Sequence, residues 1–185
     1  MARRNGRARK AGRKRRSIKW RDIFFILCLG VIVAFFVNRE FLTSTVVEGH
    51  SMEPTLHDQD RLFLWKQNLD EKHLRHGDIV VFHAPDEQKD YIKRIIALPN
   101  DFVQIKDGRV FVNGRALEEP YLQIRFTRAT DSQSWLVGED EIFVLGDNRE
   151  EGASRDSRMF GPVPLSSLIG VACFRFYPFH RWGSL

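Results

Sequence analysis

Turn signals punctuate the stretch from residue 43 to residue 185, and the apolar runs that they border are short. Gly77-Asp78, Pro99-Asn100-Asp101, Asp107-Gly108, Asn113-Gly114 and Gly146 mark the cuts. Each offers the chain a backbone that other residues resist, or a local hydrogen bond that reverses it. Between the cuts lie β-branched and aromatic runs: Thr43–Glu48, Arg61–Trp65, Ile79–Phe82, Tyr91–Leu98, Ile142–Leu145 and Leu168–Tyr177. Such runs, bounded in this way, read as strands. Asp-Gly is a favoured two-residue hairpin turn, so Phe102–Lys106 and Arg109–Val112 form a hairpin around Asp107-Gly108. At Pro99-Asn100-Asp101, asparagine stands where a positive φ is expected and is the best residue after glycine to adopt it. Residues 68–75 read as a polar loop or one helical turn, 84–90 as a charged surface loop, and 118–137 is the least readable part. The body is therefore mainly antiparallel β-sheet.

The ends of the chain pull the composition apart. Residues 1–22 hold eleven Lys and Arg against one Asp; with a net charge of +5 overall, the remainder carries −5. A basic arm can bind nucleic acid, but that reading needs a basic face on the partner domain, and this body is acidic; no nucleic-acid partner is expected. Ile23–Val37 is a run of fifteen uncharged residues, short of the ~20 a membrane helix usually needs. Trp20 and Phe41-Leu42 extend it, and Arg21 and Arg39 can snorkel to head groups. A cleavable leader has the same basic start, yet no small-x-small site follows Val37. The expectation is an uncleaved signal-anchor helix over residues 23–42, with the basic tail in the cytoplasm and the body outside. Cys28 and Cys173 fall in different parts of the chain, so no disulfide is expected. The six histidines show no metal spacing, and no metal or other cofactor is expected.

Two residues carry possible chemistry. Ser51 sits in Glu48-Gly49-His50-Ser51-Met52-Glu53-Pro54 and Lys93 in Tyr91-Ile92-Lys93-Arg94-Ile95. A serine hydroxyl needs a base beside it to act as a nucleophile. A lysine can be that base only when neutral, which an apolar, dehydrated setting favours. On a strand Tyr91 and Ile95 share the face of Lys93. The plainer readings are a turn serine and a lysine that snorkels to water. His50 reads as a surface neighbour rather than a base.

A third stretch, Gly146-Asp147-Asn148-Arg149 followed by Ser154-Arg155-Asp156-Ser157-Arg158, changes the balance. Ser51-Met52-x-Pro54-Thr55-Leu56, Gly77–Phe82, Tyr91–Arg94 and this stretch, in that order, resemble the boxes of the bacterial type I signal peptidases. The resemblance spans about Val46 to Pro164. It implies an antiparallel β-sheet catalytic body of the signal-peptidase and LexA-like type, over residues 43–185, with one N-terminal transmembrane helix. It also implies a small cap or rim near residues 118–137.

The same resemblance implies a membrane-bound serine endopeptidase, active as a monomer, that removes signal peptides from exported preproteins after small-x-small residues. Ser51 would be the nucleophile and Lys93 the base, passing through an acyl-enzyme. Its oxyanion hole would use the Ser51 backbone N–H, because Gly49 lacks the hydroxyl that some relatives place there, as in the Gram-positive branch. Ser154 would orient the lysine, and Arg94, Asp147, Asn148, Asp156 and Arg158 would support the site. Val47, Met52 and Ile92 flank the pair and are the candidate walls of a shallow apolar pocket. The family usually has two residues between Asn-Arg and the serine; here there are four, 150–153, expected to form a longer exposed loop. Competing readings are a related Ser–Lys protease with another membrane-protein substrate, and a homologue that holds precursors without cutting. LexA-type repressors share the dyad logic, but this chain has neither a DNA-binding domain nor an internal Ala-Gly cleavage site.

Overall fold

The structure, a computed structural model, describes residues 20–67, 69–128 and 133–185. Residues 1–37 and 38–185 form separate units. The basic tail expected at 1–22 lies almost wholly outside the described residues. Helix α1 runs Trp20–Phe41. Phe24, Phe25, Ile26, Leu27 and Val31 are exposed on it, while side chains at 22 and 32–40 fall outside the description. Among the described residues no helix is long and apolar enough to cross a membrane.

The second unit is β-sheet. In chain order its strands are β1 Leu42–Val46, β2 Arg61–Trp65, β3 Ile79–His83, β4 Asp90–Ala97, β5 Phe102–Lys106 and β6 Arg109–Val112. There follow β7 Arg115–Ala116, β8 Ser134–Leu136, β9 Glu141–Leu145, β10 Val163–Pro164, β11 Leu168–Tyr177 and β12 Gly183–Ser184. One short helix, α2 Ser157–Phe160, lies between β9 and β10. The main sheet has the order β1-β2-β11-β3-β4-β9-β10, with β12 on β11; a second has the order β7-β6-β5-β8. All pairings are antiparallel, as the strand and turn chemistry predicts.

Position in the sheet follows from side-chain pattern. β2 alternates, with Leu62 and Leu64 buried and Arg61, Phe63 and Trp65 outward, the period of a half-buried strand. β3 and β4 are buried on both faces, because core packs on either side of them. Ile79, Val81 and Ile92 join one cluster with Val47, Met52 and Leu56. Val80, Phe82 and Ile95 join another with Ile142 and Val144. Ile96, Ala97, Phe143 and Leu145 meet Val103, Ile105 and Val110 of the second sheet. Lys93 thus sits on a central strand, walled by apolar residues.

The hairpin turns are set locally. Asp107 and Gly108 have φ of 51° and 74°, and Asn113 and Gly114 52° and 77°, the doubly positive pattern of a type I′ turn. Asn100 adopts φ 67°, as its residue type predicts.

Residues 118–137, where a small cap or rim is expected, contribute to the second sheet. Ser134–Leu136 pairs with β5, Trp135 lies against Phe143 with ring centroids 4.8 Å apart, and Leu122, Thr127 and Val137 are buried. The described part of this segment completes the second sheet and its core.

Candidate functional site

Ser51 is presented by a tight turn after β1. Gly49 takes φ 85° and its N–H donates to Asp58 Oδ1 at 2.8 Å. The Glu53 N–H returns to the His50 carbonyl and the Leu56 N–H to that of Met52. From outside, Asn148 donates its N–H to the Ser51 carbonyl at 3.0 Å and its Nδ2 to the His50 carbonyl at 3.2 Å. Thr55 Oγ1 donates to Asp147 Oδ2 at 2.6 Å. Met52 and Leu56 anchor the turn in the core.

Lys93 reaches this turn from β4. It is 3% exposed, and its Nζ lies 2.9 Å from Ser51 Oγ and donates to the Ile92 carbonyl at 2.9 Å. The Tyr91 ring centroid is 5.0 Å from the amine. Burial lowers its pKa from 10.5 to about 8, against the upward pull of Asp156 and Asp147; Arg158 pushes it further down. Burial wins because a charge loses far more hydration in an apolar wall than two carboxylates return, both of them shared with arginines. At pH 7 about one molecule in ten then holds the amine neutral. In that form the lone pair can accept the Ser51 proton across the same distance, which is the arrangement for nucleophilic acyl transfer.

The supporting residues converge behind the pair. Arg94 donates to Asp147 through Nε at 2.8 Å and Nη2 at 2.5 Å, and to the Gly77 carbonyl at 2.8 Å. Asp156 accepts from Arg158 Nε and Nη2, each at 2.8 Å, and from the Gly146 N–H at 3.1 Å. It also caps α2 through the Arg158 N–H. Five residues named from the sequence, Arg94, Asp147, Asn148, Asp156 and Arg158, are therefore brought together around one turn.

Ser154 is placed differently from its expected role. It is buried beside Gly146, but among the described residues its Oγ has no hydrogen-bond partner. The lysine is oriented instead by the backbone carbonyl of Ile92. The four residues before it loop outward, with Glu150, Glu151 and Gly152 exposed and Glu151 paired to Arg128 at 2.7 Å.

A cleft of about 450 Å³ opens at the pair. Thr45, Val46, Val81 and Ile92 line it around Ser51 and Lys93, with Glu48, Lys89, Asp90, Tyr91 and Arg155 completing the wall. Of the three expected wall residues only Ile92 is there. Val47 and Met52 are 2% and 1% exposed and belong to the core. The wall is Val46, 44% exposed, because an extended chain turns successive side chains to opposite faces. No described residue of 118–137 lines the cleft. His50 is exposed and bonded to Glu53 at 2.9 Å. Among the described residues no cluster of His, Cys, Asp or Glu could hold a metal ion, and Cys28 and Cys173 are free thiols.

Sequence reasoning missed Glu119, Tyr121 and Thr127. Glu119 accepts from Arg149 Nη2 at 2.5 Å and from the Tyr121 hydroxyl at 2.9 Å, and the Tyr121 ring lies 4.0 Å from the Arg94 guanidinium. No local pattern marks them, since the arginines they meet stand more than twenty residues away along the chain.

Comparison with known proteins gives a consistent picture. The family model described as signal peptidase, peptidase S26, matches residues 18–177. A protein named signal peptidase IB from Staphylococcus aureus is 31% identical over 91% of this chain and 94% of its own length. One named signal peptidase I from Bacillus licheniformis is 35% identical over 84% of this chain and 87% of its own. A crystal structure of a signal peptidase I from Enterococcus faecalis aligns over 53% of this chain and 95% of that one, at 35% identity and a TM-score of 0.46.

Proposed function

This chain belongs to the signal peptidase family, peptidase S26, and from that premise we propose that Ser51 and Lys93 are its catalytic pair. Its activity is that of a signal peptidase I, a serine endopeptidase that removes signal peptides. The observation that supports the pair above all is the 2.9 Å approach of a buried amine to a hydroxyl at the floor of a cleft.

Ser51 Oγ attacks the scissile carbonyl carbon and gives its proton to Lys93 Nζ. As the tetrahedral adduct collapses, the carbon–nitrogen bond breaks and Lys93 protonates the leaving amine. Water then attacks the acyl-enzyme ester, again with Lys93 as base, and Ser51 leaves with the proton. The oxyanion falls to the Ser51 N–H, which has no acceptor among the described residues. The Gly49 N–H is already spent on Asp58. One such donor typically supplies about 3 kcal/mol.

Specificity for small-x-small sites follows from the walls. Val46, Val81 and Ile92 supply the apolar part of the cleft wall beside the nucleophile, which supports a preference for small apolar side chains there. A preprotein incubated with the purified protein in detergent, with products read by mass spectrometry, is expected to be cut once, after a small-x-small sequence. An intact preprotein, or cuts scattered without regard to side-chain size, would refute the reading. The kcat/KM is expected to rise about tenfold per pH unit up to the Lys93 pKa of about 8 and to level above it. A flat profile from about pH 6 to 10 would remove lysine as the base.

The anchor belongs to the same proposal. The fifteen uncharged residues of 23–37 and their basic flank support a membrane anchor within α1, Trp20–Phe41, with the basic tail in the cytoplasm and the β-sheet body outside; Leu42, expected at the end of that helix, opens β1 instead. Both members of the pair and the supports described above lie in one chain, which supports a reading in which a single copy carries the whole site.

A further inference from the structure

Arg149 stands apart from the pair, yet its guanidinium ends on the backbone that carries it. The side chain is fully buried. Nε donates to the Gly146 carbonyl at 2.7 Å. The two Nη atoms donate to Glu119 at 2.5 and 3.3 Å and to Thr127 Oγ1 at 2.7 Å. Gly146 lies against the nucleophile turn so closely that a Cβ there would stand 2.5 Å from the Ser51 carbonyl oxygen. The Asn148 N–H, two residues on, holds that oxygen. Glu119 also accepts from Tyr121, whose ring covers Arg94, and Arg94 holds Asp147. One carboxylate thus steadies both arginines that grip residues 146–148.

We infer that Arg149 and Glu119 are positioning residues for the acylation step. Through Gly146 they set where Ser51 sits relative to Lys93, and they act on turnover rather than on substrate binding. The inference rests on the Ser51–Lys93 reading given above. Neither residue lines the cleft, so their loss removes no substrate contact. Small displacements of a nucleophile far from any binding change can cost about a hundredfold in rate.

The test separates positioning from stability. A buried ion pair can often be replaced by uncharged residues of similar size without loss of fold, whereas removing one partner leaves a buried charge. The double variant Arg149→Met/Glu119→Gln removes both charges, and its glutamine still accepts from Tyr121. Arg149→Lys keeps the charge near Glu119 but loses the planar fork that reaches Gly146. Full-length proteins in detergent are assayed on a small-x-small preprotein, with thermal unfolding followed in parallel. Both variants are expected to unfold cooperatively. The expected kcat falls about tenfold for the lysine variant and about 30- to 100-fold for the double variant, with KM within about threefold of wild type. The pH midpoint of kcat/KM should stay near 8, since Lys93 keeps its surroundings. A folded double variant with kcat within about threefold of wild type would overturn the inference, as would a rise in KM alone. Failure of both variants to fold would assign the pair to stability and overturn it equally. If the wild-type protein itself cuts nothing, the Ser51–Lys93 reading falls first.

Discussion

Lys93→Met lowers kcat/KM by about a thousandfold or more and, at pH 7, makes the protein more stable. The activity loss follows from removing the amine that stands 2.9 Å from the nucleophile. The gain in stability follows from linkage. The folded protein holds Lys93 at a pKa of about 8 against 10.5 when free, so folding must resist a proton that the unfolded chain welcomes. That resistance is fully present below pH 8, fades as pH rises from about 8 to 10.5, and is gone above it. It amounts to about 3 kcal/mol at neutral pH. Methionine has nearly the lysine's length without its charge, and it loses the bonds to Ser51 and Ile92. The net gain at pH 7 is therefore about 1–2 kcal/mol, and it shrinks as the wild-type protein is moved toward pH 10. Urea unfolding at both pH values reads it. Ser51→Ala should abolish cleavage to the same degree but leave stability nearly unchanged. A Lys93→Met protein that is destabilised at pH 7, or that cleaves at near-normal rate, would contradict the account.

Gly146→Ala is the second large effect, and its cause is space rather than backbone angle. The added carbon would meet Ser154 Oγ at 2.3 Å, the Ser51 carbonyl oxygen at 2.5 Å and Ser154 Cβ at 2.7 Å. A serine hydroxyl can rotate away, but the Ser51 carbonyl is backbone and is held by Asn148. The nucleophile turn must therefore move, and a displacement of this kind costs about a hundredfold in kcat. Overpacking at such a site also removes about 1–3 kcal/mol of stability. Steady-state kinetics with thermal unfolding reads both; kcat within about threefold of wild type would mean the turn shifts freely and does not set the reaction geometry.

These two positions also show what the sequence could and could not reveal. The apolar flanks of Lys93, Tyr91, Ile92 and Ile95, were legible on the strand, but only the resemblance of several boxes in order set it above a lysine that snorkels to water, whereas Asp107-Gly108 was legible because turn chemistry is local. The cleft wall was not. Val46 and Val47 are equally apolar, and which one faces the cleft depends on where β1 ends, a one-residue uncertainty that flips a side chain to the other face. Ser154 sat in the expected stretch, but its bonding depends on how residues 150–153 loop out. Glu119 was invisible, because a glutamate in a polar segment looks solvated until Arg149 is folded against it. The segment 118–137 was hard to read for the same reason: its buried side chains are few and lack a regular period, and pairing with β5 organises part of it.

The claim beneath all of this is that Lys93 is held dry enough to lose its proton near pH 8 rather than near 10.5. The direct measurement is an NMR titration of lysine Cε signals in the isotopically labelled protein, with Lys93 assigned by its disappearance in Lys93→Met. The account predicts a midpoint near 8; a midpoint near 10.5, the value of a free lysine, would contradict it.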